Sequence, residues 1–134
     1  MNNFLSLFTS YITVLVTLAL LDGLWLGVLA KNFYKENLGY LFRAEPIWSA
    51  IVIFYLIYAA AIVYFVVLAA DGSWLRALSV GAVLGFVVYM TYDLVNYATI
   101  KDWPLRVVLI DILWGTFITA AAATLAVFLN KLLS

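Results

Sequence analysis

The chain has 134 residues, 68% of them hydrophobic and 10% charged, and its mean hydropathy of +1.13 sets it apart from soluble domains, which are roughly 45–50% apolar and about 25% charged. Seven Lys plus Arg balance seven Asp plus Glu, so no basic footprint points to nucleic acid. With neither cysteine nor histidine in the chain, disulfides, thiol nucleophiles, imidazole catalysis and His- or thiolate-held metals are excluded, and acid–base work falls to Asp, Glu, Tyr and Lys. No cofactor or metal is expected; an oxygen-held hard cation is the one kind of metal that these side chains would suit.

At about 20 residues per membrane-spanning helix, the length suits four spans with short connections, and residues 1–134 are expected to form a single transmembrane domain. The first span, about 4–30, is apolar except for Ser6, Thr9, Ser10, Thr13, Thr17 and Asp22. Val28-Leu29-Ala30 faintly resembles a signal-peptide cleavage site, but the start Met-Asn-Asn is not basic and the apolar stretch is too long, so the segment is expected to stay. Its length of about 40 Å exceeds the hydrocarbon core and predicts tilt or protrusion. From Lys31 to Glu45, charged residues alternate with Phe33, Tyr34, Leu38, Leu41 and Phe42 at helical spacing. That pattern fits a helix lying in the membrane interface, or equally a continuation of the first helix beyond the bilayer.

Pro46 suits the first turn of a second helix, where its missing amide would be unpaired anyway. This helix runs about 47–70 and is rich in aromatics, including Trp48, Phe54, Tyr55 and Tyr58. Asp71-Gly72-Ser73 has the composition of a tight turn. A third span covers about 74–100, Lys101-Asp102-Trp103-Pro104 forms a short connection, and a fourth span covers about 105–132. Short loops force neighbours to run antiparallel, so the fold class is all-α, an integral membrane four-helix up-down bundle. Small residues four apart, Gly23/Gly27, Gly81/Gly85 and Gly115/Thr119, permit close helix contact.

Lys31, Lys35, Arg43, Lys101 and Arg106 lie on the connections after the first and third spans, against Arg76 and Lys131 on the other side. The positive-inside rule then puts those connections in the cytoplasm and both termini outside. Trp48, Trp74 and Trp103 near span ends read as an interfacial aromatic belt.

Three aspartates interrupt the spans: Asp22, Asp93 and Asp111. An ionised carboxylate at bilayer depth costs at least about 2.5 kcal/mol, so each is a candidate functional residue by default. Antiparallel threading brings all three, with Tyr55, toward the membrane face that carries the basic connections. Tyr89, Tyr92, Asp93 and Asn96 share one stripe of the third helix. No Lys or Arg lies deep in a span, and Lys101 and Arg106 reach only the rim. Clustered carboxylates cannot all ionise cheaply, so either protons remain on some or a cation balances them. The segments Asp22-Gly-Leu-Trp25 and Asp111-Ile-Leu-Trp114 echo each other on antiparallel helices, as an inverted repeat or by coincidence. Trp25 and Trp114 read either as site lining or as packing. A purely structural reading of the carboxylates, hydrogen-bonded to fix helix register, competes with the functional one.

Asp22-Gly-Leu-Trp-Leu-Gly27, Asn32-Phe-Tyr34, Tyr92-Asp-Leu-Val-Asn96, Lys101-Asp-Trp-Pro104 and Asp111-Ile-Leu-Trp-Gly115 together resemble a family of small bacterial membrane proteins known only as a domain of unknown function. The likeness spans nearly the whole chain. The chain departs from it at Val95, where members tend to carry Thr. The resemblance implies a bacterial cytoplasmic-membrane protein of four helices and carries no activity.

The favoured expectation is a binding or transport protein with a protonatable acidic site near the cytoplasmic side. Asp22, Asp93, Asp111, Asn96, Tyr55, Tyr89, Tyr92, Trp25 and Trp114 would form it around a small cationic or lipid ligand, among membrane lipids. Transport by four short helices would call for a homodimer or larger assembly. An integral membrane enzyme acting on a lipid or isoprenoid is the alternative, weakened by the lack of a nucleophile elbow or phosphate-binding Gly loop. An accessory subunit packing through its glycine faces is a third.

Overall fold

The computed structural model describes residues 3–134, and every regular element among them is helical. Four helices are long and apolar enough to cross a membrane: α1 (Phe4–Leu29), α3 (Trp48–Ala70), α4 (Trp74–Thr99) and α5 (Leu105–Leu133). A short helix, α2 (Lys31–Leu38), lies between the first two. The Asn3 side chain accepts the Ser6 amide at 2.7 Å and caps α1, satisfying one of the orphan donors of the first turn.

The last turn of α1, Trp25–Leu29, is a π turn. The chain then breaks at Ala30 (φ −113°, ψ 9°) before α2 begins. Of the two sequence readings for this stretch, the separate helix is therefore the one the fold adopts. It buries Tyr34 and Leu38, one turn apart on the same face, against Trp103, Val107 and Val108. The Tyr40 hydroxyl donates to the Asp102 carbonyl at 2.9 Å. The connections after α1 and α4 thus dock on each other at one end of the bundle, as up-down threading requires.

α3 begins at Trp48, with Ile47 as its cap receiving the amides of Ala50 and Ile51. Pro46 therefore precedes the cap and does not occupy the first turn, because the Ile47 carbonyl already opens the helical ladder. Pro104 is itself the cap of α5. At the opposite end Asp71 (φ 48°) and Gly72 (φ 79°) both take the left-handed conformation, and Ser73 caps α4 by accepting the Arg76 amide at 3.2 Å. This is the tight turn that Asp and Gly favour.

α5 is the centre of the bundle and packs along α4 more extensively than on any other element. Glycines make that approach feasible. A Cβ on Gly81 would come within 3.0 Å of the Ala120 Cα, one on Gly85 would run into the Gly115 carbonyl, and one on Gly115 would run into the Tyr89 ring. Gly23 and Gly27 behave otherwise: a Cβ on either would meet nothing within 4 Å. The expected close contact on α1 is absent, since the neighbours of that helix pack against Val14, Leu18 and Asp22 instead.

The main core joins Val14, Leu18, Ile62, Val66, Ile118 and Ala122 with small residues of α4 and α5. A second cluster sits at the α2 end around Trp103. Trp48 and Trp74 are exposed as a belt requires, but Trp103 is buried, at 8% exposure, beneath α2. The belt assignment fails for Trp103 because α2 folds back over it. α3 approaches α4 through its second half, from the π turn at Val63–Val67 onward. Its first half stands away, and the space left on that side holds the polar residues described next.

Candidate functional site

Tyr55 of α3 and Trp114 of α5 meet at Asp22, which is 7% exposed. The Tyr55 hydroxyl donates to Asp22 Oδ2 at 2.5 Å and the Trp114 indole N–H to Oδ1 at 2.7 Å. Both oxygens of Asp22 are therefore satisfied. Trp114 also stacks on Trp25, with ring centroids 4.5 Å apart and planes 7° from parallel. The Trp25 indole donates in turn to the Tyr34 hydroxyl at 3.2 Å, and Tyr34 donates to Asp111 Oδ1 at 2.7 Å.

These bonds resolve the echo between the two Asp-x-x-Trp segments. Each tryptophan serves the aspartate of the antiparallel helix, Trp114 directly and Trp25 through Tyr34. Tyr34 lies outside the long helices, and its burial, reinforced by the Asp111 charge, holds its phenol above the ordinary value. The hydroxyl thus remains a donor to Asp111.

Asp93 has a different environment. It is 0% exposed, yet no donor among the described residues reaches either of its oxygens. Its partner is the Asp111 carboxyl, which lies against it. Two carboxyls set against each other, with no basic side chain between them, form a pair that only a shared proton or a bound cation would balance. An aspartate that packed only to fix helix register would be expected to collect hydroxyl, amide or indole donors, as Asp22 does.

Two cavities open at this level. One of about 460 Å³ lies between the splayed half of α3 and α4, lined by Asp22, Leu26, Phe54, Tyr55, Val88, Tyr89, Tyr92, Asp111 and Trp114. The other, of about 1020 Å³, lies under α2 and the segment that follows it, with Asp93, Asp111, Tyr34, Tyr92 and Trp103 on its wall and Lys31 and Lys35 among its outer residues. Leu26, Tyr92 and Asp111 belong to both, so the two spaces meet there. Their sizes fall in or near the usual range for small-molecule sites, about 300–1,000 Å³. The indole N–H of Trp103 is buried without an acceptor.

Of the nine side chains read from the sequence, seven line a cavity: Asp22, Asp93, Asp111, Tyr55, Tyr89, Tyr92 and Trp114. Trp25 lines neither and acts through its stack on Trp114 and its bond to Tyr34. Asn96 is half-buried beside Tyr92 and also lines neither cavity. The three aspartates do not converge on one point, and among the described residues no three carboxylates are placed to hold a metal ion. Asp111 is the shared member, paired with Asp93 and facing the Asp22 cavity. Tyr34, Trp103, Lys31 and Lys35 escaped the sequence reading. The signal for Tyr34 was its position one turn before Leu38 on the inward face of a helix otherwise charged; the cations come from α2, not from Lys101 or Arg106, because α2 folds back over the cavity.

The family model described as "Predicted membrane protein (DUF2177)" matches residues 7–128. No curated protein and no solved structure matches the chain.

Proposed function

The chain belongs to this family of predicted membrane proteins, and from that premise we propose that it binds an amphiphilic ligand taken from the surrounding lipid, with the Asp93–Asp111 pair as a protonatable polar end to the site. The observation that carries this reading is Asp93: wholly buried, without a donor, against a second carboxyl and on the wall of a large cavity. Leaving a buried acceptor unmatched costs about 1–3 kcal/mol. Such a cost persists in a fold when function uses it. The basic end, with Lys31, Lys35, Arg43, Lys101 and Arg106, faces the cytoplasm of a bacterial cell in this reading, and both termini lie outside. Transport across the bilayer would add a second copy of the chain, since the two cavities that reach the carboxyls lie at one end of the bundle.

An unmatched carboxyl pair should exchange its proton for a cation. Oleylamine titrated into the detergent-purified protein, in weak buffer with a pH indicator, is expected to release about one proton per amine bound, as the ammonium replaces the proton between the two carboxyls. Asp93→Asn should abolish the release. Binding without proton release in the wild type, or equal release from Asp93→Asn, removes the acid pair from the site.

A further inference from the structure

The cavity that reaches Asp93 is graded from its mouth inward. Lys31 and Lys35 stand at its outer part on α2, outside the long helices. Farther in are two buried groups of opposite polarity: the Asp93 carboxyl, an acceptor that meets only another carboxyl, and the Trp103 indole N–H, a donor without an acceptor. Beyond them, through Asp111 and Tyr92, the space continues into the narrower cavity walled by Phe54, Tyr89 and Val88. Cations, then a donor–acceptor pair, then an aromatic and aliphatic slot follow one another in that order.

We infer that the ligand is a single-chain lipid phosphate with a free hydroxyl between chain and phosphate, the chemistry of a monoacyl glycerophosphate. A hydroxyl is both donor and acceptor, so one such group answers Asp93 and Trp103 together. A phosphate outward of it meets Lys31 and Lys35, and an acyl chain inward of it fills the 460 Å³ slot. That slot is sized for one small ligand body, which disfavours a diacyl lipid. The order of groups also matches the way such a lipid stands in a leaflet, phosphate at the surface and chain in the interior. A simple ammonium answers the carboxyls alone, whereas the two lysines at the mouth call for an anionic group there. The inference rests on the proposed binding role of the acid pair and adds the class of ligand.

Binding is read from tryptophan fluorescence of the full chain in detergent, using monooleoyl glycerophosphate, its 2-deoxy analogue, dioleoyl glycerophosphate and monooleoylglycerol. The hydroxyl compound is expected to bind about tenfold tighter than the deoxy analogue, as one buried hydrogen bond implies, and the diacyl compound is expected to bind weakly. Asp93→Ala should erase the preference for the hydroxyl. Lys31→Gln with Lys35→Gln, both on exposed side chains, should weaken the phosphate lipid about tenfold and leave monooleoylglycerol unchanged, which keeps the test decisive even where the Asp93 variant fails to fold. Equal affinity for the hydroxyl and deoxy lipids, or no effect of the lysine pair, overturns the assignment. If oleylamine still displaces a proton while the phosphate lipids fail, the ligand class falls and the acid-pair role stands; if neither binds, both fall.

Discussion

The two ends of the bundle solve opposite problems. Toward the Asp71–Gly72 turn, α3, α4 and α5 close on one another through Ala70, Ala77, Gly81, Ala123 and Ala126, and the small polar residues there are matched, as when Asn130 donates to Ser10 at 2.6 Å. Toward α2 the first half of α3 draws away from α4, aromatic residues replace the alanines, and two cavities form around carboxyls. Close packing is what holds helices together where lipid removes the hydrophobic drive between them. The tight end therefore supplies the stability that lets the other end stay open.

This contrast is best broken first at the seam. Gly115→Val should be the most damaging change, because its side chain would occupy the position of the Tyr89 ring; a loss of about 3 kcal/mol is expected from overpacking, read as the midpoint of thermal unfolding in detergent. Asp22→Asn comes next. One of its two donors, Tyr55 or Trp114, would then face an amide NH₂, and about 1.5 kcal/mol should be lost. Thr119→Val removes the partner of the Tyr58 hydroxyl, 2.6 Å away and fully buried, with about 1 kcal/mol expected.

The smallest effect concerns Tyr34. Its phenol is held above its ordinary value, about 10, so the fold favours the neutral form. That contribution is complete below about pH 10 and disappears as pH rises through the elevated folded value. Wild-type stability should therefore fall in strongly alkaline detergent solution more steeply than that of Tyr34→Phe. Parallel curves for the two proteins would show that the phenol does not titrate with folding.

The spans were legible because each is a long apolar run bounded by Pro, Gly or charge, and a run of that kind has one stable form in lipid. The aspartates were legible for the complementary reason, as charges where none is cheap. Which way they face was not legible. Asp22 and Asp93 look alike in the sequence, each near the end of an apolar helix beside aromatic residues, and only the packing of Tyr55 and Trp114 gives Asp22 its donors while Asp93 receives another carboxyl. Trp103 and Gly23 mark the same limit. A tryptophan next to a helix end reads as a belt residue unless a distant segment covers it, and glycines four apart read as a contact face whether or not a neighbour arrives. The part played by α2 rests on its return over α5, through Tyr34, Leu38 and the Tyr40 bond to Asp102, and long-range docking of this kind has no local signature.

The central claim is that Asp22 holds the fold and Asp93 serves a ligand. Measuring both the thermal stability and the oleylamine binding of Asp22→Asn and Asp93→Asn in the same detergent tests it directly. The account predicts that Asp93→Asn melts at or above the wild-type temperature and loses amine-linked proton release, whereas Asp22→Asn melts lower and keeps it. An Asp93→Asn protein destabilised as much as Asp22→Asn, with proton release intact, would contradict it.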